Sequence, residues 1–123
     1  TPSTRFMINN VSIDKMKRGV MIINTGRGKL ISSGALIEGL RSGKVSSAGL
    51  DVYEDEQKYF YEDLSDSIVR DDKLAILLTM PNVIVSSHQA FFTREALSNI
   101  ALTTLNNISD FMNGKPLANE VKA

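Results

Sequence analysis

Ile22-Ile23-Asn24-Thr25-Gly26-Arg27-Gly28 is a short apolar run that breaks into polar residues and glycines at its C-terminal end. Two later stretches have the same form: Gly49-Leu50-Asp51-Val52-Tyr53-Glu54-Asp55-Glu56 and Val83-Ile84-Val85-Ser86-Ser87-His88-Gln89-Ala90. Each apolar run is typical of a β-strand, and segments with helical periodicity separate the runs. This alternation predicts βαβ units and a parallel sheet in an α/β fold.

The polar residues that follow these three runs are candidates for one site. Ligands bind beyond the carboxyl ends of strands in open α/β sheets, so we expect Arg27, Asp51 or Glu56, and His88 to converge on one crevice. His88 is the only histidine of the chain, and an imidazole titrates near neutral pH, which suits proton transfer. A neighbouring carboxylate would fix its tautomer. An acid–base histidine, an arginine and a carboxylate together favour chemistry on a small hydroxy or keto acid.

Each of these residues also has a purely structural interpretation. Arg27 lies between two glycines that permit a tight turn, and its guanidinium either clamps a carboxylate through two hydrogen bonds or is an ordinary surface group. A lone histidine such as His88 is more often structural than catalytic. Acidic runs such as Glu54 to Glu56 are mostly solvated loops. No spacing signature marks a metal site among these carboxylates, so we predict no metal.

Composition narrows the class of protein further. The chain has 123 residues, with 14 basic and 14 acidic side chains and no cysteine. Balanced charge gives no attraction to nucleic acid or to an anionic membrane. No apolar run approaches the roughly 18 to 20 residues that span a bilayer, and we expect no signal peptide. The absence of cysteine excludes disulfides and thiolate zinc sites and fits a cytoplasmic protein.

Periodicity, caps and glycines predict the order of helices and strands. Strands are expected at Val20–Asn24, at Val45–Val52 and at Val83–Val85, and the first reads as buried on both faces. Helices are expected from Asn9 or Asn10 to about Lys17, over Ser33–Ser42, near Lys73–Thr79 and over Thr93–Asn113. The acidic and aromatic stretch from Glu54 to Asp72 reads as a long loop containing at most one helical turn.

The strand-end stretches resemble the signatures of the D-specific 2-hydroxyacid dehydrogenases. The loop Phe60-Tyr61-Glu62-Asp63-Leu64-Ser65-Asp66 and the run His88-Gln89-Ala90-Phe91-Phe92-Thr93 resemble the fermentative D-lactate dehydrogenase branch of that family. The resemblance implies an α/β fold, the C-terminal part of a Rossmann-like dinucleotide-binding domain with parallel strands, plus a long C-terminal helix. It places residues 1–92 in the NAD-binding domain and residues 93–123 in a helix and tail returning to the substrate domain.

The same resemblance implies roles for individual residues, with NAD as the cofactor. Arg27 matches the arginine that binds the substrate carboxylate, and His88 matches the acid–base histidine. Glu56 matches the glutamate that hydrogen-bonds this histidine and keeps it protonated. The expected cofactor-binding residues are Thr4, Thr25, Gly26, Arg27 and Asp51, with Asp51 near the nicotinamide carboxamide. From their positions, we also expect Tyr53 and Phe92 to shape the substrate pocket.

Two substitutions and one absence depart from the family pattern. Gly26 stands where the family usually has serine or alanine, and Phe6 where this branch often has histidine. The chain contains no Gly-x-Gly-x-x-Gly segment followed by an acidic residue, so the part of the site that binds the cofactor pyrophosphate is missing. Since the chain also opens on Thr1-Pro2-Ser3-Thr4 without a methionine, we expect it to be the C-terminal two-fifths of a longer enzyme.

The sequence therefore predicts part of an NAD-dependent oxidoreductase. The complete enzyme would transfer hydride between a 2-keto acid such as pyruvate and its D-2-hydroxy acid, as a homodimer. The isolated chain is expected to be inactive, and to self-associate through an exposed strand edge and uncovered apolar surface. The alternatives are an NAD-sensing corepressor-like scaffold of the same fold, or an inactive truncated product.

Overall fold

A computed structural model describes residues 2–55 and 71–121 of the chain. These residues fall into two compact units, Thr1–Gln89 and Ala90–Ala123. Glu56, the loop from Phe60 to Asp66 and any helical turn between residues 56 and 70 lie outside the described residues. The boundary that the sequence suggests, between residues 92 and 93, stays a prediction.

The first unit contains a three-stranded parallel sheet, as predicted. Its strands are β1 (Val20–Asn24), β2 (Val45–Leu50) and β3 (Val83–Val85), in the spatial order β1-β2-β3. The register pairs the last residues of all three strands, because Asn24 lies beside Leu50 and Leu50 beside Val85. Neighbouring strands are about 4.8 Å apart in such a sheet. The residues that follow the strands therefore leave the sheet at the same level.

The described residues of the first unit form three helices, which connect and cover these strands. They are α1 (Asn10–Lys15), α2 (Ser33–Arg41) and α3 (Asp72–Thr79), with short 3₁₀ turns at Pro2–Thr4 and Gly28–Leu30. Asn9 caps α1 in a capping box with Ser12, which satisfies backbone N–H groups of the first turn. The sequence extends α1 to about Lys17, but Met16 already has an extended backbone. The left-handed Gly19 lies beyond the helix, in the turn before β1.

The core lies between these helices and one face of the sheet. Ile22, Ala48 and Leu50 point into it and meet apolar side chains of the helices, among them Ile13, Leu36, Leu40, Leu74 and Leu77. This is an ordinary hydrophobic core, in which most of the favourable free energy comes from apolar surface removed from water.

The opposite face of the sheet is uncovered by the described residues. We define this open sheet face by Met21, Ile23 and Ile84, which are 63%, 69% and 74% exposed. The prediction that β1 is buried on both faces is therefore wrong for this chain. The helices described in the first unit, α1 to α3, pack on the side of Ile22 and Leu50, so alternate residues of β1 face solvent.

The second unit consists of a long helix and a short tail. Helix α4 (Arg94–Met112) begins at Thr93, whose Oγ1 accepts a hydrogen bond from the Ala96 amide at 3.1 Å, and ends before the left-handed Gly114. This confirms the predicted C-terminal helix. Its large apolar residues recur at intervals of three or five positions and stay exposed: Leu97, Ile100, Leu105, Ile108 and Phe111. Among the described residues, no helix combines the length and apolarity needed to cross a membrane.

Candidate functional site

The carboxyl edge of the sheet brings together the segments that the sequence singled out. Backbone hydrogen bonds continue past the strand ends: the Asp51 amide donates to the Asn24 carbonyl at 2.9 Å, and the His88 amide donates to the Asp51 carbonyl at 2.6 Å. Asp51 is therefore tied to the segment after β1 on one side and to the segment after β3 on the other. Arg27 lies three residues beyond Asn24, in the segment after β1.

Asn24 fixes the turn that carries Arg27. Its side chain is buried, its Oδ1 accepts a hydrogen bond from the Gly26 amide at 3.1 Å, and its Nδ2 donates to the Arg27 carbonyl at 3.0 Å. The Arg27 side chain is exposed, and its Nη1 donates to the Gly26 carbonyl at 2.9 Å. The sequence reasoning missed Asn24. Its signal was an asparagine at a strand end, because such side chains commonly bond the backbone two residues on.

Gly28 is required by a backbone contact. A β-carbon at this position would lie 1.7 Å from the carbonyl oxygen of Tyr53. The two segments that follow β1 and β2 therefore touch through their backbones, and only glycine leaves enough room. The contact fixes the spacing between the Arg27 turn and the segment that starts at Asp51.

Asp51 uses its carboxylate to hold the loop after β3. The residue is 4% exposed, and its Oδ1 accepts hydrogen bonds from the Ser86 hydroxyl at 2.6 Å and from the Gln89 amide at 2.7 Å. A buried carboxylate needs such partners, because an uncompensated buried charge is very costly. Ser86 and Gln89 were not recognised from the sequence. The predicted contact of Asp51 with the nicotinamide stays a prediction.

His88 and its neighbour have an unusual backbone. Ser87 and His88 have φ values of 47° and 58°, in the left-handed region. For residues other than glycine this region costs roughly 1–2 kcal/mol per residue, so it persists only where surrounding contacts enforce it. The His88 side chain is half-buried. The left-handed pair turns the chain sharply at the end of β3 and determines the direction in which the imidazole leaves the backbone.

Tyr53 lies in the core, which corrects its expected place in the substrate pocket. Its ring is 3% exposed, and its hydroxyl donates to the Asp71 carboxylate, 2.9 Å from Oδ2. Burial raises the pKa of the Tyr53 phenol well above its usual range, and the hydrogen bond to Asp71 raises the pKa further. Phenols stay protonated under such conditions. The residue anchors the segment after β2 to the start of α3, since Asp71 also caps that helix.

Glu54 is a structural anchor, in contrast to a freely solvated acidic side chain. Its Oε2 accepts a hydrogen bond from the Ser33 amide at 3.1 Å, in the first turn of α2, where free N–H groups favour negative charge. Its Oε1 lies 3.1 Å from Lys73 Nζ. The hydrogen bond to Glu54 raises the pKa of Lys73. Glu54 and Asp71 are thus both anchored by their side chains.

Thr4 lies in the N-terminal segment, which runs beside the chain after Arg27. The Phe6 amide donates to the Lys29 carbonyl at 2.8 Å, and the Ile8 amide donates to the Leu30 carbonyl at 3.0 Å. The segment is thereby joined to the same side of the first unit as the Arg27 turn. Phe92 belongs to the second unit. The cofactor role of Thr4 and the pocket role of Phe92 stay predictions.

The carboxyl edge of the sheet suits the nicotinamide end of a dinucleotide better than the pyrophosphate and adenosine end. Thr25, Gly26 and Arg27 are exposed at the carboxyl end of a parallel sheet, and because Gly26 has no side chain, a ligand can approach the backbone of this turn closely. This suits a flat ring lying against the edge. The sequence contains no glycine-rich pyrophosphate loop. Within residues 2–55 and 71–121, no group of three or more His, Asp or Glu side chains is arranged to hold a metal ion.

This parallel sheet and the groups at its carboxyl edge define an NAD-binding domain. Residues 1–90 match the family model of the D-isomer specific 2-hydroxyacid dehydrogenase NAD-binding domain. The chain belongs to this family, and the cofactor of the domain is NAD.

Individual relatives agree with the family assignment. The chain is 45% identical over 121 residues to D-lactate dehydrogenase of Escherichia coli, a match that covers 98% of the chain and 37% of that protein. It matches the structure of the pyruvate reductase of Chlamydomonas reinhardtii with a TM-score of 0.85 and 46% identity, over 97% of the chain and 37% of that structure. The structure of D-lactate dehydrogenase with NAD+ from Lactobacillus jensenii gives a TM-score of 0.89 at 31% identity, over 100% of the chain and 37% of that structure. The chain therefore spans about a third of the length of the relatives that it matches.

Proposed function

We propose that this chain supplies the reacting half of the active site of an NAD-dependent D-2-hydroxyacid dehydrogenase. The complete enzyme interconverts a 2-keto acid such as pyruvate and its D-2-hydroxy acid. The observation that carries the proposal is the direct link between Asp51 and His88 at the sheet edge that also presents Arg27. The names of the relatives, D-lactate dehydrogenase and pyruvate reductase, support the choice of substrate.

In the proposed mechanism the protein binds the substrate and moves a proton. The exposed Arg27 guanidinium binds the carboxylate of the keto acid through paired hydrogen bonds and polarises its carbonyl. The His88 imidazolium donates a proton to the carbonyl oxygen during reduction and takes the hydroxyl proton during oxidation. Glu56 hydrogen-bonds His88 and keeps it protonated for the reduction. Bound NADH supplies the hydride.

The nicotinamide end of the cofactor is assigned to the residues that follow β1 and β2. Thr25, Gly26 and Asp51 line it, the Arg27 turn borders it, and Thr4 contributes from the N-terminal segment. The residues that hold the pyrophosphate are not in this sequence. The isolated chain is therefore inactive in this proposal, and activity requires a glycine-rich nucleotide-binding half.

The proposal extends to assembly and location. The complete enzyme is a homodimer in the cytoplasm. A cysteine-free sequence suits a reducing compartment. Sedimentation velocity on the complete enzyme and cell fractionation test these two statements separately.

A chimera tests the proposed activity. This chain replaces the matching C-terminal part of the Escherichia coli relative, and NADH oxidation is measured with pyruvate. We expect turnover by the chimera and none by the 123-residue chain alone. In the chimera, His88→Asn should lower kcat by about 10²- to 10⁴-fold, the range for loss of a general acid.

Arg27→Gln should lower kcat/KM for pyruvate by at least about tenfold, since a charge-assisted hydrogen bond contributes about 1.5–3 kcal/mol. Arg41→Gln is the matched control, because Arg41 is an exposed arginine at the end of α2, and it should leave kcat/KM unchanged. Full activity of the His88→Asn chimera would contradict the assignment of the acid–base residue. NADH binding without turnover by the unmodified chimera would favour the corepressor-like scaffold.

A further inference from the structure

A small hydrogen-bonded cluster surrounds the strained turn that carries His88. We call it the Asp51 clamp, and it consists of Asp51, Ser86, His88 and Gln89. The Asp51 carboxylate accepts from the Ser86 hydroxyl at 2.6 Å and from the Gln89 amide at 2.7 Å, both at Oδ1. The Asp51 backbone carbonyl accepts a hydrogen bond from the His88 amide at 2.6 Å. One residue at the end of β2 therefore binds the loop after β3 on both sides of Ser87 and His88.

The clamp opposes the backbone strain of the two residues that it encloses. Ser87 and His88 both have positive φ values, which L-residues avoid unless their surroundings enforce them. A free loop of this sequence would relax toward the ordinary β or right-handed regions. The relaxation would rotate the Cα–Cβ bond of His88 and redirect its imidazole.

Ser86 holds a distinct place in the clamp, because its contact with Asp51 uses a side-chain hydroxyl. The contacts of Gln89 and His88 with Asp51 described above use backbone amides, which any residue other than proline provides at those positions. The Ser86 hydroxyl makes the shorter of the two bonds to Asp51 Oδ1. Hydrogen bonds to a carboxylate are about twice as strong as neutral ones. Loss of this hydroxyl would leave the buried Asp51 carboxylate with a weaker hold on the loop.

We propose that Ser86 is a positioning residue for His88, acting through the Asp51 carboxylate to maintain the left-handed turn at Ser87 and His88. The functional part of this proposal rests on the proposed dehydrogenase activity, in which His88 transfers the proton. Its geometric part concerns the His88 backbone alone. The two parts are measured by different experiments, so failure of one is distinguishable from failure of the other.

The first experiment observes the His88 backbone directly. Because the 123-residue chain has a single histidine, labelling with ¹⁵N,¹³C-histidine gives one backbone amide signal. In Ser86→Ala, we expect the His88 amide to exchange with solvent at least about tenfold faster and the ¹³Cα shift to move away from its left-handed value. Ser86→Thr retains the hydroxyl and should restore both the slow exchange of the His88 amide and the left-handed value of its ¹³Cα shift. Exchange within twofold of the unmodified chain in a folded Ser86→Ala variant would overturn the proposal.

A matched control distinguishes loss of the Ser86 contact in the Asp51 clamp from the general effect of removing a serine hydroxyl from the sheet. Ser46 also donates a hydroxyl hydrogen bond in the sheet, to the Val20 carbonyl at 3.2 Å, but at the amino ends of the strands. Ser46→Ala should leave the His88 signal unchanged. An equal change in both variants would overturn the proposal, since it would reflect a general loosening of the sheet.

A double-mutant cycle tests the role of strain. Glycine adopts positive φ without a steric penalty, so Ser87→Gly should relieve part of the strain that the clamp opposes. Ser86→Ala should then accelerate His88 exchange less in the Ser87→Gly background than in the unmodified chain. Identical effects in the two backgrounds would overturn the link between Ser86 and the left-handed turn.

The second experiment measures catalysis in the chimera with the Escherichia coli relative. We expect Ser86→Ala to lower kcat about tenfold or more with the KM for NADH within twofold, because a displaced imidazole impairs proton transfer and leaves cofactor binding intact. Ser86→Thr should recover at least half of the rate, and Ser46→Ala should be unchanged. An unaltered kcat in Ser86→Ala would overturn the functional part. An inactive unmodified chimera would overturn the proposed function, and the His88 signal would still decide the geometric part.

Discussion

Gly28 illustrates how one backbone contact restricts a residue in the candidate site. The Tyr53 carbonyl oxygen occupies the space that a β-carbon would need, at 1.7 Å. Gly28→Ala must therefore push the segments after β1 and β2 apart. We expect a loss of about 2–3 kcal/mol in the free energy of unfolding, the upper range for overpacking, measured by urea denaturation.

Gly34 provides the control for this substitution. It lies in α2, and a β-carbon there would meet nothing within 4 Å. Because alanine has the higher helix propensity, Gly34→Ala should raise the free energy of unfolding by up to about 1 kcal/mol. If Gly28→Ala is as stable as the unmodified chain, the Tyr53 backbone moves to accommodate the β-carbon with no loss in the free energy of unfolding, which would contradict the prediction.

Tyr53 gives the chain a pH dependence in the alkaline range. Its folded-state pKa lies above the ordinary value of 10.0, so the folded chain holds the phenolic proton at a pH where the unfolded chain has lost it. The resulting stabilisation is complete below about pH 10 and is lost as the pH rises above that value, by at most about 1.4 kcal/mol per pH unit.

Urea denaturation between pH 9 and 11 measures this loss, with Tyr53→Phe as the comparison. The variant lacks the titrating group, so its stability should fall less steeply with pH. Lys73 also has a raised pKa and loses its favourable contact with Glu54 as the pH rises, but this contribution is present in both proteins. Equal slopes would refute the predicted effect of Tyr53.

The sequence singles out candidate site residues, but it does not predict the residues that contact them. Arg27, Asp51 and His88 stand out because polar residues follow apolar runs. The contact of Asp51 with Ser86 joins residues that are far apart in the chain, so it depends on strand order and register, which a single sequence states only indirectly. The contact of Glu54 with the Ser33 amide was missed for the same reason, because helix α2 and strand β2 separate the two residues in the sequence.

At the level of elements, the bounds of the helices and strands were predicted closely. The burial of their side chains was predicted less well. The predicted β3, Val83–Val85, has the observed bounds, and α2 ends one residue earlier than expected. Caps and glycines determine such limits locally. The burial of β1 depends on what packs against each face. A run of four apolar residues is equally consistent with one covered face or two.

The open sheet face predicts how the isolated chain behaves in solution. Met21 and Ile23 on β1 and Ile84 on β3 lie on the same face of the sheet, with Gly49 of β2 between Ile23 and Ile84, and such apolar surface favours association. Ile84→Lys should reduce self-association of the 123-residue chain in sedimentation velocity and leave its thermal unfolding nearly unchanged, since Ile84 is 74% exposed.

Val11→Lys is the control for this variant, because Val11 is 66% exposed but lies on α1. It should have a much smaller effect on association. A monodisperse, monomeric unmodified chain would contradict the prediction for the open sheet face.

At the level of the whole molecule, only part of the proposed site lies within this chain. It belongs to the D-isomer specific 2-hydroxyacid dehydrogenase family, and it spans about a third of the relatives' length. Family membership was predictable because three ordered signatures fall at strand ends. The choice of substrate in the proposed reaction was not predictable, since the residues singled out in this sequence do not distinguish one 2-keto acid from another.

The register of the sheet also bears on how quickly the first unit can form. Val20 pairs with Val45, and Ala48 pairs with Val83, so every strand pair must close a long stretch of chain before its hydrogen bonds contribute. Loop closure of this kind raises the entropic barrier, and proteins rich in distant contacts fold slowly. Helix α2 forms through near neighbours and can exist early. The turn that carries His88 depends on the pairing of β2 with β3, which closes the longer of the two stretches of chain, so we expect the candidate proton donor to be among the late parts of this unit to acquire its native geometry.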